Sequence, residues 1–211
     1  MLKTSSISTK YVAQALWSCG KMARFEQATR GNKLLPYMES AKVFLSHLID
    51  NGDVMTPPQI SQVIWALGSL RFSDARTMKE LSDIAMRIRS DPNMAFNSQE
   101  IANIVWAFSK VGYNDRDTAL GLVRYVTESP RLSEECTSQE ASNMLYSLGK
   151  LGLKDTDSFE SLSAILMSRL HAASSQAIAN ALWAFDAVEL EPPLELMGCW
   201  AKEKLGMEDV A

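Results

Sequence analysis

The stretch NSQEIANIVWAFSKVG, residues 97–112, carries the periodicity that decides the fold. Ile101, Ile104, Val105, Phe108 and Val111 return every three or four positions, so at about 100° per residue they gather on one broad side of a helix. Ala102 and Ser109 flank that side, and Gln99, Asn103, Trp106 and Lys110 lie opposite it. An indole in line with an amide and an ammonium is either held in a seam between helices or displayed to a partner.

The pattern returns along the chain as STKYVAQALWSCGKM from Ser8, TPPQISQVIWALGSL from Thr56, TSQEASNMLYSLGKL from Thr137 and SSQAIANALWAFDAV from Ser174. Its aromatic anchors are Trp17, Trp65, Trp106, Tyr146 and Trp183, with successive spacings of 48, 41, 40 and 37 residues. Repetition at this period is the signature of a repeat architecture. The chain therefore reads as one helical-repeat domain over residues 1–211, with repeats starting near residues 8, 56, 97, 137 and 174.

Ser8, Thr56, Asn97, Thr137 and Ser174 hold one equivalent place, and their side chains accept hydrogen bonds from the orphan N–H groups of a helix start. Glu100 and Glu140, three residues on, predict two capping boxes, and Pro57 suits a first helical turn. Gly112 and Gly152 predict helix ends, and Asp74, Asp115 and Asp155 stand in register as caps of a second helix. Leu81, Ile84, Ala85 and Ile88 in one second helix, and Leu162, Ile165, Leu166 and Leu170 in another, have helical spacing. Each repeat is thus a helical hairpin. A hairpin of about 40 residues does not bury both helices alone, so the expected fold is all-α, a right-handed α-solenoid of about five hairpins with no sheet. Only residues 1–7 and the connection near residues 26–33 are expected to stand apart from it.

Composition excludes several classes. Hydrophobic residues at 46% and charged residues at 22% fit a chain that buries a core and argue against disorder. No apolar run approaches the roughly 18 residues of a membrane span. Cys19, Cys136 and Cys199 are scattered and odd in number, which argues against a disulfide scaffold and points to a reducing compartment. His47 and His171 have no matching ligand spacing, and DNGD at residues 50–53 lacks the further oxygen ligands and closing Glu of a calcium loop. Glycines are dispersed rather than clustered as in a phosphate loop. No catalytic, metal or cofactor site is expected.

Net charge is −4 but uneven: residues 1–50 hold 7 basic and 3 acidic side chains, residues 51–150 hold 10 and 12, and residues 151–211 hold 4 and 10. Lys3, Lys10, Lys21 and Arg24, among many hydroxyl residues, precede the first acid, Glu26, as in an organelle transit peptide. The same segment already fits the first repeat, and that reading takes precedence.

The polar stripe is the feature that invites a function. Its members are Lys10, Gln14, Trp17 and Lys21; Pro58, Gln62, Trp65 and Ser69; Gln99, Asn103, Trp106 and Lys110; Gln139, Asn143, Tyr146 and Lys150; and Gln176, Asn180, Trp183 and Ala187. A solvated face varies among Glu, Lys, Arg and Ser, whereas here an amide holds the second place in every copy. The aromatics read as packing residues, each in the seam between consecutive first helices with only an edge exposed. Small neighbours such as Gly20 and Gly149 would make room for them, although Asp186 replaces glycine in the last copy. The amides either bond the adjacent repeat as a ladder or read base edges beside lysines that neutralise phosphate. On the second reading the RNA-binding residues are Lys10, Gln14, Lys21, Gln62, Gln99, Asn103, Lys110, Gln139, Asn143, Lys150, Gln176 and Asn180.

The run Gln/Glu-Ile-Ala-Asn-x-Leu/Val-Trp-Ala-Phe/Leu, followed by Gly/Ser-Lys-Leu/Val-Gly, resembles the octotricopeptide repeat family and the related heptatricopeptide-type repeats. It is seen over Gln99–Gly112, Gln139–Gly152 and Gln176–Val188. The resemblance implies a non-catalytic solenoid that binds organelle RNA, in the mitochondrion or a plastid. Its roles would lie in transcript stability, processing or translation, or inside a mitochondrial ribosome beside other proteins of a ribonucleoprotein. Neither a membrane nor a small-molecule substrate is implied. The acidic tail, with Glu189, Glu191, Glu195, Glu203, Glu208 and Asp209, and the methionine-rich composition keep open the alternative of a structural scaffold that docks proteins without touching RNA.

Overall fold

The computed structural model of the chain describes residues 8–29, 35–51 and 55–205. Residues 1–7 and 30–33 of the expected irregular segments, and Gly52 and Asp53 of DNGD, lie outside the described residues. All regular structure among the described residues is helical. The helices are α1 (Thr9–Thr29), α2 (Leu35–Asn51), α3 (Pro57–Leu70), α4 (Ala75–Ser90), α5 (Ser98–Val111), α6 (Arg116–Thr127), α7 (Pro130–Glu135), α8 (Ser138–Lys150), α9 (Thr156–Ser168), α10 (Ser175–Ala187) and α11 (Leu194–Leu205). The five motif copies are α1, α3, α5, α8 and α10. Residues 26–29, expected in a connection, are instead the end of α1. The third repeat carries the additional short helix α7, and Leu170, expected on a second helix, lies in a 3-10 turn at Leu170–Ala172.

Capping chemistry sets the boundaries. The Glu100 N–H donates to Asn97 Oδ1 at 2.8 Å while the Asn97 N–H donates to Glu100 Oε2 at 3.0 Å. Thr137 and Glu140 make the same reciprocal pair at 3.2 and 2.9 Å. Gln59 accepts from the Thr56 N–H at 2.9 Å, the same contact made by an amide in place of a carboxylate. Asp74, Asp115 and Asp155 accept from the N–H groups of Thr77, Thr118 and Ser158 at 2.8, 3.1 and 3.3 Å, and so open α4, α6 and α9. Such caps each contribute about 1 kcal/mol.

Four of the five first helices end in one backbone conformation, whereas α1 runs on through the equivalent position, Ala23, to Thr29. Gly112 and Gly152 have φ of 71° and 66°, and Arg71 and Glu189 occupy the same place after their aromatic anchors with φ of 54° and 55°. Only glycine enters this left-handed region without a Cβ penalty. Arg71→Gly and Glu189→Gly are each expected to raise unfolding stability by about 0.5–1 kcal/mol, measured by urea titration. A loss of stability would show that these side chains hold the turn.

The chain divides into two compact units, one formed by residues 1–96 and 110–113 and the other by residues 97–109 and 114–211. In the first unit α1 packs on α3 and α2, and α3 packs on α4. In the second, α8 packs on α10 and α9, α6 on α7 and α9, and α10 on α11. First helices therefore lie beside first helices within each unit, and in the second unit the second helices α6 and α9 also pack together. The cores are apolar and fully enclosed: Leu16, Ile60, Ile64 and Met78 in one, and Phe108, Leu122, Phe159 and Leu166 in the other. Val111, expected in the core, is half-buried.

Small residues fix how closely the first helices approach. A Cβ placed on Gly20 would lie 2.9 Å from Ala66 Cα, and one on Gly149 would lie 2.8 Å from Ala184 Cα. At both seams the residue three after one aromatic meets the residue one after the next. Ser142, buried in α8, adds a hydrogen bond from its Oγ to the Ala177 carbonyl at 2.8 Å. Loops are tied as well: Arg116 donates to the Lys154 carbonyl at 2.9 Å, and Lys154 Nζ to the Glu189 carbonyl at 2.9 Å. Arg124 pairs with Asp155 at 2.7 Å. Burial raises the Asp155 carboxyl, but bonds from Ser158 and Arg124 outweigh it and hold it below the ordinary range. The stability this carboxylate contributes is present above its unfolded pKa and is lost as pH falls through the lowered folded value.

Candidate nucleic-acid interface

The aromatic pairs lie at the centre of the stripe. In the first unit the Trp17 and Trp65 rings are 6.4 Å apart and tilted by 40°. In the second, Tyr146 and Trp183 are 4.9 Å apart and tilted by 38°. The seam arrangement expected of Trp17, Trp65, Trp106 and Trp183 describes Trp65, which is 8% exposed, and only partly describes the half-buried Trp106. Trp17 and Trp183 are 38% and 44% exposed and so present ring surface, not merely an edge. Trp65 leans back over Gly20, its ring 3.1 Å from where a Cβ would stand.

Cations stand over these rings. Lys21 Nζ is 4.7 Å from the Trp17 centroid and the Arg24 guanidinium is 5.6 Å from that of Trp65. Each such pair contributes about 0.5–1 kcal/mol at an exposed site. Arg24 is absent from the motif register, and only the i,i+3 step from Lys21 on an exposed helix face would have drawn attention to it.

The remaining stripe residues are accessible to different degrees. Lys10, Gln14 and Lys21 on α1 are exposed, and Gln62 on α3 is half-buried. In α5, Gln99 and Lys110 are exposed with Asn103 half-buried between them, and in α8 Gln139 and Lys150 are exposed around a half-buried Asn143. In α10, Gln176 is exposed and Asn180 half-buried. Gln139 Nε2 donates to Asn143 Oδ1 at 2.9 Å, so this amide pair bonds within its own helix rather than across to the next repeat. A half-buried amide braced by its neighbour keeps a fixed orientation, and the Asn143 NH₂ group and the Gln139 carbonyl oxygen are the groups outside this bond. The arrangement suits hydrogen bonding to a planar polar edge, with an ammonium about two turns away.

No group of three or more His, Cys, Asp and Glu side chains suited to a metal gathers among the described residues. Cys136 is enclosed at the end of α7, and burial together with the Glu140 charge pushes its thiol up to about 12, far from a thiolate at neutral pH. None of the described helices is long and apolar enough to cross a membrane. No known family model matches the chain, and no curated protein is similar to it.

Proposed function

We propose that the protein is a non-catalytic RNA-binding helical-repeat protein of an organelle, the mitochondrion first among them. Its five hairpins would stack as one α-solenoid, and it would act in RNA stability, processing or translation, including as a component of a mitochondrial ribosome. The observation that carries this reading is the stripe itself. One polar face recurs in register on all five first helices, its amides half-buried or exposed and its lysines at the surface. Amides and aromatics supply base-edge and stacking contacts, and lysines supply phosphate contacts. The overall charge of −4 limits non-specific attraction, so affinity is expected to be salt-sensitive and to reside in this stripe.

Replacing Lys110 and Lys150 together with alanine tests the phosphate step. The fold is expected to persist, because both lie near helix ends where a cation adds only about 0.3–1 kcal/mol. RNA binding, titrated by fluorescence anisotropy over a salt series, is expected to weaken, and its logarithmic salt slope to flatten by up to about two. Asn103→Ala with Asn143→Ala is expected to alter sequence preference at an unchanged slope, because no charge is removed. If both double variants bind RNA like the parent but lose association with a protein complex, the stripe is a protein-docking surface and the scaffold alternative replaces this reading.

A further inference from the structure

The large apolar side chains that stay exposed are not spread along the described residues. They lie on α1 and α2 (Tyr11, Trp17, Met22, Phe25 and Val43) and on α10 and α11 (Trp183, Leu194 and Met197). The repeat register explains the first group. On α3, Val63, Ala66 and Leu70 are fully enclosed on a helix whose Ala66 meets Gly20 of α1. The same positions on α1 are Ala15, Ser18 and Met22, which are half-buried or exposed and flanked by Tyr11 at 64% and Phe25 at 63%. On α10 the opposite half of the contact is open. Ala179 and Asp186 are half-buried and exposed, where their counterparts Ser142 and Gly149 on α8 are buried against α10. One helix thus presents the receiving half of a repeat-stacking contact, and another presents the giving half.

The two halves are complementary in charge. Lys10, Lys21 and Arg24 are exposed on α1, while Asp186, Glu189, Glu191 and Glu195 are exposed on and after α10. We propose that a second copy of this chain covers the open face: α1 of one copy stacks on α10 of another, head to tail. Both internal seams place the residue three after one aromatic against the residue one after the next, as in Gly20 with Ala66 and Gly149 with Ala184. That register sets Asp186 against Ser18 of the second copy, within one helical turn of Lys21. Both halves of the contact are found on every copy, so a heterologous contact of this kind propagates or closes into a ring. Asp186 does not fit at the glycine spacing. Ser109, buried at the same position of α5, shows that a small polar side chain is accommodated there. The contact between copies is therefore wider than the internal seams, weaker, and dependent on charge.

Sedimentation equilibrium of the full chain without nucleic acid tests this independently of RNA binding. The weight-average mass of the parent is expected to rise above the monomer value between micromolar and millimolar concentration, and to fall back with added salt. Lys21→Glu and Asp186→Lys are each expected to weaken association about tenfold or more at low salt, and their combination in one chain to restore it. Both sites are exposed, and matching circular dichroism checks that the variants fold. A parent that stays monomeric throughout overturns the proposal. Association that ignores salt and both substitutions, or is not restored by the exchange, overturns it too.

Discussion

Phe159→Ala is expected to lower unfolding stability by about 3–5 kcal/mol, the range for removing a buried phenyl ring. Phe159 lies on α9, is 0% exposed, and meets Phe185 of α10 edge-on, with centroids 5.0 Å apart at 79°. It joins a second helix to the first helix of the following repeat, so truncation leaves a cavity where two hairpins meet. The edge-to-face pair adds about 0.5–1.5 kcal/mol beyond its buried area. The neighbouring backbone has little freedom to collapse into the gap, because Gly149 already holds α8 against α10 at contact distance. Chemical denaturation followed by far-ultraviolet circular dichroism measures the loss. A cost below about 1 kcal/mol would mean that the site relaxes and that the two hairpins are not rigidly packed.

Trp65→Ala is expected to cost a similar 3–5 kcal/mol, whereas Trp183→Ala costs markedly less. Trp65 is 8% exposed, packs over Gly20 and lies beneath the Arg24 guanidinium, so its removal opens the α1–α3 seam and strips a cation of its partner. Trp183 is 44% exposed and rests on Tyr146 alone among the ring pairs described. If Trp183 stacks on bases, its substitution removes about 1–3 kcal/mol of RNA affinity while the fold holds. Parallel unfolding and RNA titrations of the two variants separate the roles. Equal losses of stability would mean that Trp183 is a packing residue like Trp65. Unchanged RNA affinity for Trp183→Ala would remove it from the binding face.

Much of the local structure was legible in the residues themselves, because it depends on interactions spanning three or four positions. The caps at Asn97, Thr137, Asp74, Asp115 and Asp155, the glycine ends at Gly112 and Gly152, and the enclosed face of Ile101, Ile104, Val105 and Phe108 follow from hydrogen-bond geometry and helical periodicity. The stripe of amides, aromatics and lysines was legible as a shared helix face for the same reason. Which of its members are displayed was not. Trp17, Trp65 and Trp183 hold one place in the motif, yet their exposure runs from 38% to 8% to 44%. Burial of a helix face depends on whether another helix lies over it, and no local pattern records that. Nor did the motif mark Arg71 and Glu189 as taking the left-handed turn that glycine takes elsewhere. The extra helix α7 and the 3-10 turn at Leu170 likewise depart from the motif's spacing. The sequence by itself determined the helices, their ends and the faces they turn inward; only the tertiary structure decided which outward faces are covered, because that choice is made between residues some forty positions apart.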